Sequence, residues 1–210
     1  MMSYYEPATY SRPVTTSSAE AQKWFDRGLR QIYGCQYHEA ISCFQNAVAA
    51  DPCCAMAHWG TAYAIYPTYA KSPETSAEHR KPAYLTLAAN SLAAAKPLKP
   101  SLQPAERALL SAAAKRAPDC SSATVAASAQ VAYASAMRQA HAAHPDDLDV
   151  CALFAESLMS ESSWLLWDLS TGFSAGGAGM PEEIQVLERA FRELPGAWTH
   201  PGLQRLYMCS

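Results

Sequence analysis

The chain has 210 residues, half of them hydrophobic, and a formal net charge of −3. That is ample for one buried core or a short stack of repeats. With no cluster of Lys and Arg, it speaks against nucleic acid or an anionic membrane surface as the main partner. No apolar run approaches the roughly 20 residues of a membrane span, and the first residues lack the basic start and apolar stretch of a secretory signal, so a cytoplasmic location is expected.

Residues 1–16, with Pro7, Pro13 and many hydroxyls, read as an extended arm. Ser17 or Ser18 then caps a helix that runs to Tyr33, where Gly34 breaks it. A second helix over 37–50 carries Ala40, Ile41, Phe44, Ala47 and Val48 at steps that build one buried face. Ala55, Ala57 and the segment HWGTAYAIY open another helix, followed by a polar, Pro-flanked insertion over 67–82. Further helices are expected over 83–95, over 104–116 with Pro104 in the first turn, and over 122–143. Asp146 or Asp147 caps DVCALFAESLMS. A loop over 161–180 precedes a helix from Pro181 to Leu194, with Glu182 and Glu183 favourably placed in its first turn. THPGLQRLYMCS begins a last helix. The seven cysteines form no CxxC pair, which fits buried thiols in a reducing compartment.

Within this series, Trp24, Gly28, Ala40, Phe44, Ala47 and Pro52 fall at the offsets of a helix-turn-helix repeat of about 34 residues, the tetratricopeptide repeat. Gly28 and Ala40 let the two helices approach, Trp24 and Phe44 fill the space beside them, and Pro52 ends the second helix. Arg27 and Gln31 stand where that pattern usually has an apolar residue and an aromatic one.

The segments AQKWFDRGLRQIYG, HEAISCFQNAVAADPCCAMAHWGTAYAI, HPDDLDVCALFAESLM, WLLWDLSTG and HPGLQRLYM resemble the longer tetratricopeptide-repeat proteins of fungi and bacteria. The resemblance implies an all-α fold over 17–210, a right-handed superhelix of antiparallel helix pairs with no sheet. It would hold about four repeat units and the start of a fifth, and continue beyond residue 210. It also implies company with fungal secondary metabolism. In the family the last motif often reads His-Pro-Gly, two residues, His, three residues, His; here His200, Pro201 and Gly202 are followed by Arg205 and Cys209. A zinc site takes about four ligands, so neither a metal nor another cofactor is expected, and His200 is expected to cap or pack at a helix start.

The first helix of each pair lines the inner face of such a superhelix. That puts Leu29, Tyr33, Trp59, Tyr63 and Tyr66 along the lining, with Glu156 further on. An aromatic groove suits a protein segment or an apolar small molecule, and the same rings can equally pack against neighbouring helices. Trp164, Trp167 and Asp168 either plug a gap between units or line a pocket. No Ser-His-Asp order, phosphate loop or dinucleotide motif appears, so no catalytic residue is assigned. Three functions remain open: a scaffold holding a protein segment or ligand in its groove, an enzyme or accessory protein of fungal metabolism using an aromatic pocket, or a truncated paralogue without activity of its own. Leu203, Leu206, Tyr207 and Met208 give the last helix an apolar side, from which self-association is expected.

Overall fold

The computed structural model describes residues 10–66, 81–116, 123–160, 167–168, 173–174 and 181–209. They form α1 (Ala19–Tyr33), α2 (Tyr37–Ala50), α3 (Ala55–Ile65), α4 (Pro82–Ala95), α5 (Pro104–Ala113), α6 (Ala123–Ala143), α7 (Leu148–Met159), α8 (Glu182–Glu193) and α9 (Pro201–Cys209), with short 3-10 turns at Lys96–Ser101 and Ala197–Thr199. The fold is all-α in character. The expectation of no sheet needs one correction: β1 (Trp167–Asp168) pairs antiparallel with β2 (Phe173–Ser174), a ladder of two residues on each side within the stretch read as a loop. Among the described residues, no helix is long and apolar enough to cross a membrane.

Local chemistry explains the helix ends. The Ser18 hydroxyl accepts the Ala21 N–H at 3.2 Å and starts α1. Its other end closes with the Cys35 N–H on the Ile32 carbonyl and the Gln36 N–H on the Gln31 carbonyl, the paired bonds of a Schellman motif. The left-handed position in that motif falls on Cys35, at φ 59°, and not on the neighbouring glycine. Gln103 and Glu106 form a reciprocal capping box at the start of α5, and the Asp147 carboxylate caps α7 through the Asp149 and Val150 N–H groups, both at 3.0 Å.

Helices adjacent in sequence pack on one another: α1 on α2, α2 on α3, α3 on α4, then α5 on α6, α6 on α7 and α7 on α8. α3 also meets α1 and α5, and α9 returns to α7, α8 and α1. Two helices are buried nearly all round. Every α3 residue except His58 and every α7 residue from Asp149 to Met159 is buried, so these two are the central rods of the molecule.

The first helix pair is built around Phe44. A Cβ on Gly28 would come within 2.7 Å of that ring, and one on Gly60 within 2.5 Å. The ring therefore lies between two helices that approach closely because both positions lack a side chain. Sequence reasoning paired it with Trp24; instead Phe25, fully buried, meets Phe44 with ring centroids 5.6 Å apart. Trp24 is only half-buried, with the Arg27 guanidinium 5.3 Å above its ring.

Candidate functional site

The inner face of α7 carries two carboxylates, Asp149 and Glu156, seven residues apart in the sequence. That spacing is about two helical turns and keeps both on one side. Each gathers partners from distant parts of the chain.

Around Asp149, Oδ1 accepts the hydroxyl protons of Tyr10 and of Tyr33, the latter at 2.5 Å, together with the Nε2 proton of His200 at 3.1 Å. Arg12 reaches Oδ2 at 2.8 Å. The same guanidinium grips Asp147 with both terminal nitrogens, at 2.7 and 2.9 Å, the two-pronged geometry that makes Arg–carboxylate pairs strong. His200 is buried, and its Nδ1 accepts the Leu203 N–H at 3.2 Å, which leaves the Nε2 proton for Asp149. Tyr10, Tyr33 and His200 meet edge to face, with centroids 5.0 to 5.8 Å apart. Burial alone would raise the Asp149 carboxyl, but the His200 hydrogen bond and the Arg12 charge hold it well below the usual carboxylate range. Burial, and then the Asp149 charge, push the Tyr10 and Tyr33 hydroxyls upward.

Further along α7, Tyr63 donates its hydroxyl proton to Glu156. Arg205 of α9 reaches the other carboxylate oxygen at 2.7 Å. Here too burial would raise the carboxyl, and Arg205 and Tyr63 overcome it. The Tyr63–Glu156 bond joins the two central helices directly. Arg116 lies over the Tyr133 ring at 3.8 Å and over Tyr63 at 5.4 Å.

Leu29, Tyr33, Trp59, Tyr63, Tyr66, Glu156 and His200 are all at least 96% buried. Tyr33 and His200 meet on Asp149, Tyr63 and Glu156 meet each other, and Trp59 stacks on Tyr63 with centroids 5.1 Å apart. Leu29 and Tyr66 belong to the same apolar core. Trp164 lies outside the described residues. The backbones of Trp167 and Asp168 form β1, and the surroundings of those two side chains lie outside the described residues as well.

Sequence reasoning missed Tyr10, Arg12 and Asp149. Asp149 carried a signal: it stands seven residues before Glu156 on a helix whose other residues, Ser157 apart, are apolar. Arg12 carried none, since its partners are more than 130 residues away.

Beside the Asp149 cluster lies a pocket of about 670 Å3, bounded by residues 10–13, the first turn of α5, the first turn of α7 and residues 196–200. Its wall includes Arg12, Glu106, Asp147, Asp149 and His200. Glu106 is already bound by the Thr15 N–H at 2.7 Å and the Gln103 N–H at 2.9 Å. Among the described residues, no group of three His, Cys, Asp or Glu side chains is placed to hold a metal ion. Compared with known proteins, the chain matches no family model, no curated protein and no solved structure.

Proposed function

We propose that this protein is a helical-repeat binding module of the tetratricopeptide kind that takes a small molecule in the pocket beside Asp149. The observation that carries this reading is the fate of the aromatic lining. Its side chains are closed inside the chain, Tyr33 beneath Tyr10 and Gly202 of α9, and Tyr63 against Glu156, Trp59 and Arg116, so no open aromatic trough remains among the described residues to receive a protein segment. The pocket of about 670 Å3 is of the size that drug-sized ligands occupy. Its wall supplies fixed charges on a rigid frame, which favours a polar ligand over the apolar one expected from the lining.

Binding is favoured over catalysis because the acid–base groups are already engaged. Asp149 accepts from four side chains, and both ring nitrogens of His200 are engaged, by Asp149 and by the Leu203 N–H, so neither is left to activate a nucleophile. A His–Asp pair of this kind needs such a nucleophile for covalent chemistry.

Native mass spectrometry of the purified protein, before and after mild heating, tests the proposal. Ala105, half-buried in the first turn of α5, lines the pocket, so Ala105→Trp fills it without replacing a member of the buried cluster. The expected result is a low-mass adduct on the natural sequence that is lost in the folded variant. No adduct and no small-molecule stabilisation in a metabolite screen, or an adduct unaffected by the substitution, would contradict it.

A further inference from the structure

The groups around Glu156 do not balance. Arg116 is only 4% exposed, and its Nε and Nη1 have no hydrogen-bond partner. Arg205 keeps a buried Nε in the same condition. The neighbouring carboxylate, Glu156, accepts from Tyr63 and from the terminal nitrogen of Arg205, and none of the orphaned nitrogens reaches it. The neighbouring Tyr63 and Tyr133 hydroxyls stay protonated, because burial raises both, Tyr133 to about 12. Among the described residues, two guanidinium charges therefore face one carboxylate in a desolvated, ring-lined interior.

An unpaired buried charge is among the most destabilising features a core can hold. The Arg116 guanidinium lies 3.8 Å from the centre of the Tyr133 ring, a contact that stabilises the cation and leaves Nε and Nη1 without a hydrogen-bond acceptor. Those donors remain for an acceptor carrying negative charge. Among the described residues one positive charge is left over, and it calls for one negative charge.

We propose that the interior binds a monovalent anion at Arg116, no larger than a small carboxylate, beside Tyr133. The site stands apart from the pocket at the other end of α7 and does not rest on it. A dianion would overshoot the local charge. A larger acid would have to displace Tyr63 and Tyr133, both fully buried.

Formate is a suitable probe, with gluconate at equal ionic strength as the control too large to enter. Thermal unfolding of the full chain should shift upward with formate in a saturable way, because a ligand that binds only the folded state stabilises it by mass action. Arg116→Met should weaken the apparent affinity by about tenfold or more, as expected for loss of a charge-assisted hydrogen bond. Chloride should compete in 13C-formate saturation-transfer NMR on the natural sequence, a measurement that does not depend on the variant folding. Equal melting temperatures in formate and gluconate, no saturation transfer, or an unchanged formate response in Arg116→Met would mean that the Arg116 donors hold only water, and would overturn the proposal.

Discussion

The two ends of α7 use the same chemistry to opposite effect. At Asp149 the carboxylate draws in donors from residues 10–12, α1 and the residue before α9, and of the guanidinium nitrogens there the Arg12 Nε alone lacks a partner. At Glu156 the carboxylate is equally buried, yet three guanidinium nitrogens of Arg116 and Arg205 have no hydrogen-bond partner. The first cluster is a clasp, holding the N-terminal segment and α9 against the central helix. The second is a clasp with donors to spare. Buried charges stabilise only when their hydrogen bonds are complete, so the two ends should respond differently to losing a charge.

Asp149→Ala should give the largest effect. It strands Arg12, Tyr10, Tyr33 and His200 in the interior and should cost about 3–5 kcal/mol in urea unfolding, the range for breaking a buried pair. Arg116→Met in anion-free buffer should be close to neutral or stabilising, because it removes an uncompensated charge and keeps the stem's apolar packing. Equal losses in the two variants would erase the distinction between the clusters.

The pH dependence extends the comparison. Both carboxylates are held below their ordinary range in the folded chain, so their contribution is fully present above the unfolded carboxylate pKa of about 4. It is lost as pH falls through the lower folded values, and stability should decline steadily on acidification below that point. The buried tyrosines are raised, so their contribution is present below the unfolded pKa of about 10 and fades as pH rises towards the folded values, about 12 for Tyr133. Ultraviolet titration should show the buried hydroxyls ionising only as the chain unfolds in alkali.

The thiols give a smaller contrast. Burial pushes Cys43 and Cys54 up to about 11 and Cys151 up to about 12, whereas Cys53 and Cys209 are exposed. Peptide mapping after brief alkylation at pH 8 should find Cys53 and Cys209 modified and those three protected until urea is added. The smallest effect concerns Cys35, whose left-handed backbone, at φ 59°, disfavours a side chain. Cys35→Gly should stabilise by roughly 1 kcal/mol in the same urea assay, offset in part by the lost contact with Arg205.

Much of the helical plan was legible because it is written locally. Ser18 and Asp147 cap helices with their own side chains, and Gly28 and Phe44 sit at offsets that only a close helix pair requires. The site was legible in fragments. Tyr33, Tyr63 and Glu156 were picked out as lining and His200 as a capping or packing residue, but their partners come from distant parts of the chain, and no periodicity connects Arg12 to Asp149. Gly202 shows the same limit: a Cβ there would come within 2.5 Å of the Tyr33 ring, so its smallness serves a contact with α1 that the local motif does not reveal. That contact is why Leu203 and Leu206 are buried within the chain, leaving Trp198, Tyr207 and Met208 as the exposed apolar side chains of this end.

The aromatic lining is closed inside the chain, Tyr33 beneath Tyr10 and α9, and Tyr63 against Glu156, Trp59 and Arg116. Nitration of the native protein with tetranitromethane, read by peptide mass spectrometry, tests it most directly, because Tyr207 is 44% exposed while Tyr33 and Tyr63 are at most 4% exposed. Tyr207 should be modified under conditions that leave Tyr33 and Tyr63 untouched. Modification of Tyr33 and Tyr63 at the rate of Tyr207 would mean an open groove, and would contradict it.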